Sequence, residues 1–218
     1  MAHLVRRQAS EPDRWQYERQ FWDAGLTYVA GVDEVGRGPL AGPVVAVAVV
    51  LPPTFDADGV SDSKLLSPLQ RLDLYPRICD CAISWGVGLV EPTEIDRINI
   101  LEATYEAMRQ ALGQLSMPAE AVLVDGKFRI PGLAIPQRAI IDGDALCVSI
   151  GCASILAKEI RDRLMEEFDS DYPEYGFARH KGYATPDHLE ALARLGPTPI
   201  HRQSFSPLRD RNQSHLDL

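Results

Sequence analysis

Residues 28–52, YVAGVDEVGRGPLAGPVVAVAVVLP, constrain the fold more than any other stretch of this chain. Two apolar, β-branched runs, 27–33 and 43–51, flank a loop that carries Gly36, Gly38, Pro39 and Gly42, with Pro43 opening the second run, which predicts two buried strands joined by a tight connection. The first run ends in two adjacent acids, Asp33 and Glu34. Neighbouring carboxylates repel, and each is costly to desolvate. Successive strand side chains point to opposite faces, so a regular strand cannot aim both acids at one site. The expectation is that the strand ends or bends there, using the freedom of Gly36 and Gly38.

The remaining elements alternate. Residues 12–24 predict an amphipathic helix anchored by Trp15, Phe21 and Trp22 and closed by Gly25. A Ser cap followed by proline starts a helix near Ser67, which Pro76 should kink or end. Residues 82–90 form a third strand, and one helix is expected from the 90s to about Leu112. Residues 121–126 are a short buried strand ending in Asp-Gly, and RAIIDGD at 138–144 repeats that shape. CASILAKEIRDRLMEEF is a strong helix, and TPDHLEALARLG has a Thr cap, an early proline and a closing glycine. The fold class is α/β, a mixed sheet covered by helices with a C-terminal helical extension. The expected organisation is one domain over 1–208, helical after about 185, with 209–218 a disordered polar tail.

Three apolar runs therefore end in acid: Asp33–Glu34, Asp125, and Asp144 with Asp142 nearby. Singly, Asp beside Gly at a strand end is ordinary turn chemistry. Three such ends in one small sheet bring carboxylates together, and divalent cations would balance them. Hard oxygen donors suit Mg²⁺ or Mn²⁺ rather than Zn²⁺, and two such ions are what in-line phosphodiester displacement uses. Gly36-Arg37-Gly38 suits phosphate or ribose contact, but without a following Gly-Lys-Ser/Thr it is not a P-loop.

The net charge of −9 argues mildly against a nucleic-acid partner. Metal-binding carboxylates account for part of it, and basic residues cluster at 161–163, 179–181, 201–202 and 209–211, where 161–163 and 179–181 become candidates for phosphate contact. His180 in its basic loop reads as a solvated side chain, and Asp162 as an ion-pair partner of a neighbouring arginine. The four cysteines lack zinc-site spacing and read as buried reduced thiols. No run approaches the ~20 apolar residues of a membrane span. The N-terminal residues lack a signal-peptide core, so no membrane partner and a cytoplasmic location are expected.

The motifs GVDEVGRGPLAGPVV, DSKLLS, EIDRINILEAT, VDGK, GD at 143–144, ASILAKEIRD, YPEYGFARHKGYATPDHLEAL and HRQSF resemble, in order, those of the type 2 ribonucleases H, specifically bacterial ribonuclease HII. The resemblance spans roughly residues 15 to 207. It implies a ribonuclease H-like fold that hydrolyses the RNA strand of RNA–DNA hybrids. It also implies cutting 5′ of single ribonucleotides in duplex DNA, with 3′-hydroxyl and 5′-phosphate products. By resemblance, Asp33, Glu34, Asp125 and Asp144 are metal ligands for two Mg²⁺ or Mn²⁺ ions and carry catalysis. Gly36, Arg37 and Gly38 form the ribonucleotide-contacting loop, and Tyr183 stacks at the ribose and senses its 2′-hydroxyl. Lys64, Ser154 and Lys158 lie near the substrate backbone. Two positions depart from the pattern. Asp142 stands where the family usually has Lys, so it competes with Asp144; the offset of 18 residues from Asp144 to Asp162 favours Asp144. SIGCASI replaces the usual small-residue run. The sister type, ribonuclease HIII, carries an N-terminal substrate-binding domain, and the 25 or so residues before the first strand are too few for one. A non-catalytic hybrid-binding module would need a lost ligand, yet all four acids are present. A monomer is expected.

Overall fold

A computed structural model describes residues 13–210. Five strands form one sheet: β1 (Val29–Val35), β2 (Val44–Val50), β3 (Ser84–Val90), β4 (Ala121–Asp125) and β5 (Gln137–Ile140), in the spatial order β3-β2-β1-β4-β5. The first three pair antiparallel, whereas β1–β4 and β4–β5 are parallel, which makes the sheet mixed. Among the described residues eight helices accompany it: α1 (Gln16–Trp22), α2 (Pro68–Cys81), α3 (Pro92–Ile98), α4 (Ile100–Gly113), α5 (Gly143–Leu146), α6 (Val148–Asp171), α7 (Phe177–His180) and α8 (Pro186–Leu195).

The pattern of burial explains the strand sequences. Every residue of β2 is buried, so VVAVAVV is a continuous apolar run, while the edge strand β3 alternates between buried and half-buried. Each buried β2 valine contributes roughly 1.5–3 kcal/mol relative to exposure. Helices α3 and α4 cover one face of the sheet, through Ile95, Ala103, Ala107 and Ala111. Helices α2 and α6 cover the other, through Leu74, Ile78, Ile155 and Leu156. Both contacts are close. A Cβ on Gly88 would stand 1.8 Å from the Ala107 carbonyl oxygen, and one on Gly31 would stand 2.2 Å from the Ser149 carbonyl carbon.

Three sequence expectations are corrected. Pro76 neither ends nor visibly divides α2, which runs on to Cys81. The proline removes the bond to the Leu72 carbonyl, and Leu72 lies on the exposed side of the helix. The single helix expected from the 90s to Leu112 is two helices, broken at Asn99. Asn99 adopts φ 70° and its side chain accepts from the Leu101 and Glu102 amides, capping α4. The chain also does not bend at Asp33–Glu34: β1 continues to Val35, in register with β2 at both acids.

The first helix is shorter than expected and closes at Gly25, whose amide donates to the Trp22 carbonyl. Cys147 and Cys152 are buried, Cys79 is half-buried and Cys81 is exposed, all as free thiols. Arg209 and Asp210 lie in a helical turn, and the remainder of the expected tail, 211–218, lies outside the described residues. No described helix is long and apolar enough to cross a membrane.

Candidate active site

Because β1 stays regular, its two acids straddle the sheet. Asp33 is buried on the α6 side, where the nearby Ser154 hydroxyl favours its charged form and where its Oδ1 accepts from the Glu34 amide at 2.7 Å. Glu34 faces the α4 side, in a groove of about 290 Å³ that it shares with Arg37, Leu101, Tyr105, Asp125 and Phe128. Asp125, at the end of the adjacent parallel strand β4, interacts electrostatically with both. Its Oδ1 accepts from the Gly143 amide at 2.8 Å, which draws in the turn that carries Asp144.

Asp144 therefore joins the group, buried and within the fields of Asp125 and Asp62. Asp142 does not: it is exposed, sits in the left-handed region at φ 55°, and serves through its carbonyl to start α5. Asp62 is an acid near the site that its sequence position did not mark. Its Oδ1 accepts from the Lys64 amide at 2.9 Å.

All four carboxylates are held above their ordinary pKa values. Burial is the main cause for each. Glu34 and Asp125 add to it at Asp33, and Asp125 and Asp62 add to it at Asp144. Arg37 opposes the shift at Glu34, with Nη1 3.3 Å from Glu34 Oε1. Lys64 is the cation nearest the cluster on the other side, with Nζ 3.6 Å from Asp144 Oδ2. Burial works against the Lys64 ammonium, but the fields of Asp144, Asp62, Asp33 and Asp125 outweigh it and its pKa rises.

This donor set fits divalent metal ions. Hard carboxylate oxygens, forced together and resisting full ionisation, are relieved by a cation, and two side-chain cations already lean on them. Among the described residues, no three His, Cys, Asp or Glu side chains stand close enough together to hold a metal ion as they are placed.

The glycine loop and the Tyr183 loop meet beside the acids. Gly36 adopts φ 93°, and a Cβ there would stand 2.3 Å from Arg161 Nε. The Leu40 amide donates to the Gly182 carbonyl at 2.8 Å, and the Cβ position of Gly38 is 3.7 Å from Tyr183 Cε1. Tyr183 is exposed. Ser154 and Lys158 lie behind the surface: Ser154 Oγ is 2.8 Å from Ser63 Oγ, and Lys158 Nζ is 2.7 Å from Asp162 Oδ1. Asp162 also lies 3.6 Å from Arg71, so its ion-pair reading holds, with a partner distant in sequence.

Two expectations about basic residues change. His180 is buried rather than solvated, its ring stacked on His188 at 4.4 Å between centroids. Arg161, in the first basic run, is fully buried and bonds backbone carbonyls, and Lys181 pairs with Glu166 at 2.7 Å.

Fold and acids together fit one class, the metal-dependent phosphodiesterases built on a ribonuclease H-like sheet. The family model for ribonuclease HII matches residues 30–207. The ribonuclease HII of Geobacillus kaustophilus is 51% identical over 210 residues, covering 94% of this chain and 80% of that protein. The crystal structure of ribonuclease H2 from Pyrococcus horikoshii OT3 superposes with a TM-score of 0.72 at 30% identity, covering 87% of this chain and 99% of that one. Bst-RNase HIII in complex with Mn²⁺ superposes with a TM-score of 0.63, covering 88% of this chain and 71% of that one; at 16% identity it shares the fold alone. The chain belongs to the ribonuclease HII family, whose members are metal-dependent endoribonucleases.

Proposed function

We propose that this chain hydrolyses the RNA strand of RNA–DNA hybrids and cuts 5′ of single ribonucleotides embedded in duplex DNA, leaving 3′-hydroxyl and 5′-phosphate ends. The observation that carries the reading is the meeting of four electrostatically burdened acids with the Gly36–Gly38 loop and Tyr183 at one edge of the sheet. Asp33, Glu34, Asp125 and Asp144 would hold two Mg²⁺ or Mn²⁺ ions. Bound there, the ions supply Lewis acidity toward the scissile phosphate and the attacking water.

The chain's own groups do the rest. Asp33 and Asp125 are fixed by backbone donors, which holds their free oxygens in place without substrate. Arg37 and Lys64 neutralise part of the acid cluster before a cation arrives, and their charged ends are then available to phosphate. Tyr183, exposed beside Gly38, offers a ring to the sugar, and the adjacent loop amides can meet a ribose 2′-hydroxyl. The protein works as a monomer on these duplexes.

The test is direct. The protein is incubated with Mg²⁺ and a duplex that carries one ribonucleotide, with EDTA as the control. One cut, 5′ of the ribonucleotide and only with the divalent ion, supports the reading. Absence of cleavage with any divalent ion, together with retained duplex binding, would favour a non-catalytic hybrid-binding module. Tyr183→Ala should lose mainly the preference for the lone ribonucleotide.

A further inference from the structure

Among the described residues two arginines are fully buried, Arg161 and Arg202, and neither pairs with a carboxylate within 4 Å. Their partners are backbone carbonyls. Arg161 donates to Pro43, Ala41 and Lys181, each at 3.0 Å. Arg202 donates to Gly36 at 2.5 Å, to Arg37 at 3.0 Å, and twice to Gly42 at 2.7 and 3.0 Å. All of these bonds but the one to Lys181 therefore end in the loop that joins β1 to β2. Burying guanidinium groups without a contacting counter-charge is expensive; here carbonyl dipoles bond them directly, while Asp162 and Asp96 act on Arg161 and Arg202 only from a distance. Burial, together with each other's presence in the case of Arg202, lowers their pKa values, to about 10 for Arg161 and about 9 for Arg202. Both remain charged at neutral pH.

We propose that Arg202 is a positioning residue for ribonucleotide recognition: its guanidinium fixes the Gly36 and Arg37 carbonyls so that the following amides, those of Arg37 and Gly38, face the substrate as polarised donors. The proposal rests on the reading of the loop given under Proposed function and deepens it. The Gly36 carbonyl shares its peptide plane with the Arg37 N–H, and the Arg37 carbonyl shares its plane with the Gly38 N–H. A cation on each carbonyl oxygen withdraws electron density through that plane, so each N–H becomes a stronger donor. Among the described residues neither amide donates to a protein acceptor, and Arg37 and Gly38 are both exposed beside Tyr183. The charge thus sits behind the loop and its effect emerges in front. The guanidinium is itself held from below, 5.0 Å from the centre of the Phe205 ring. The main-chain bond from the Arg202 amide to the Leu40 carbonyl, 2.8 Å, ties the same segment to the far end of the loop. Arg161 acts on a different part, stitching residues 41 and 43 to Lys181, and so sets the distance between the glycine loop and the loop of Tyr183.

Arg202→Lys separates these effects, because it keeps a positive charge but lacks the fork that reaches three carbonyls. The variant is assayed at a temperature where circular dichroism shows it folded. The substrates are a duplex with one ribonucleotide and the same duplex made wholly of DNA. The expected result is at least a tenfold rise in KM for the ribonucleotide duplex, about 1.4 kcal/mol, with affinity for the all-DNA duplex changed less than threefold. Equal losses on both duplexes would mean a merely structural residue and would overturn the proposal.

A second measurement does not depend on catalysis. In wild-type protein without substrate, the Arg37 and Gly38 amide protons should resonate downfield of their positions in Arg202→Lys, and ¹⁵N relaxation should give order parameters near about 0.85 across 36–43. Order parameters below about 0.6 would overturn the proposal even if the variant fails to fold. If wild-type protein cuts neither duplex while the loop is rigid and its amides are shifted, the functional reading fails and the positioning role of Arg202 stands.

Discussion

Asp33 stands in the most unfavourable position for a charge in this site, and replacing it isolates that burden. Its carboxyl is buried, and it lies within the fields of Glu34 and Asp125, which together with burial push its pKa well up. An acid whose folded pKa exceeds its unfolded value stabilises the fold only where it is protonated, so at neutral pH the ionised form weighs against folding. With an effective dielectric near 20, a like charge nearby costs on the order of a few kcal/mol before relaxation. Asn keeps the Oδ1 that accepts from the Glu34 amide. Asp33→Asn should therefore raise stability in EDTA by about 1–3 kcal/mol, a Tm increase of roughly 3–9 °C for a chain of this size. Added Mg²⁺ should narrow the gap by stabilising the wild type more, about 2.7 kcal/mol at a hundredfold excess over Kd. Cleavage should fall by about 10³-fold or more. Differential scanning fluorimetry with and without Mg²⁺ reads the first effect and a gel assay the second. A variant less stable than wild type in EDTA, or one that cuts normally with saturating Mn²⁺, would refute the reasoning.

Other outcomes follow from the same geometry. Asp144→Asn should cost about 10³-fold in cleavage, whereas Asp142→Asn, at an exposed turn, should stay within about twofold; the reverse order in a single-turnover assay would reassign the ligand. Burial, helped by His188, lowers the pKa of His201 to about 4, against 6.5 for the free side chain. The unfolded chain then binds the extra proton between those values, so His201 contributes stability above pH 6.5 that is lost toward pH 4, at most roughly 3 kcal/mol. Urea midpoints should show wild type losing more stability than His201→Gln between pH 7 and 4.5, and parallel losses would contradict this.

The sheet was legible because its signals are local. Apolar runs, their glycine and proline punctuation and their acid ends place β1, β2 and β4 within two residues. What sequence could not supply was the consequence of register. A regular strand divides Asp33 and Glu34 between two faces, and Asp125 reconnects them only because β4 pairs in parallel with β1. Asn99 broke a helix that periodicity extends through it, since a positive φ at asparagine leaves no mark on apolar spacing. Arg161 and Arg202 were the least legible residues. Each sits in a polar, basic stretch that reads as surface, and only the tertiary gathering of loop carbonyls makes the interior tolerable for them. Asp142 and Asp144 were ambiguous for a similar reason: the hydrogen bond from Gly143 to Asp125 decides which acid turns inward.

The central claim is that acids from both faces of the sheet meet at its edge as one cation site. Crystals of the protein grown with Mn²⁺ and a ribonucleotide-containing duplex, measured at the manganese absorption edge, test it most directly. The account predicts anomalous peaks contacted by Asp33, Glu34, Asp125 and Asp144. Peaks elsewhere, or a peak held by Asp142 with Asp144 turned away, would contradict it.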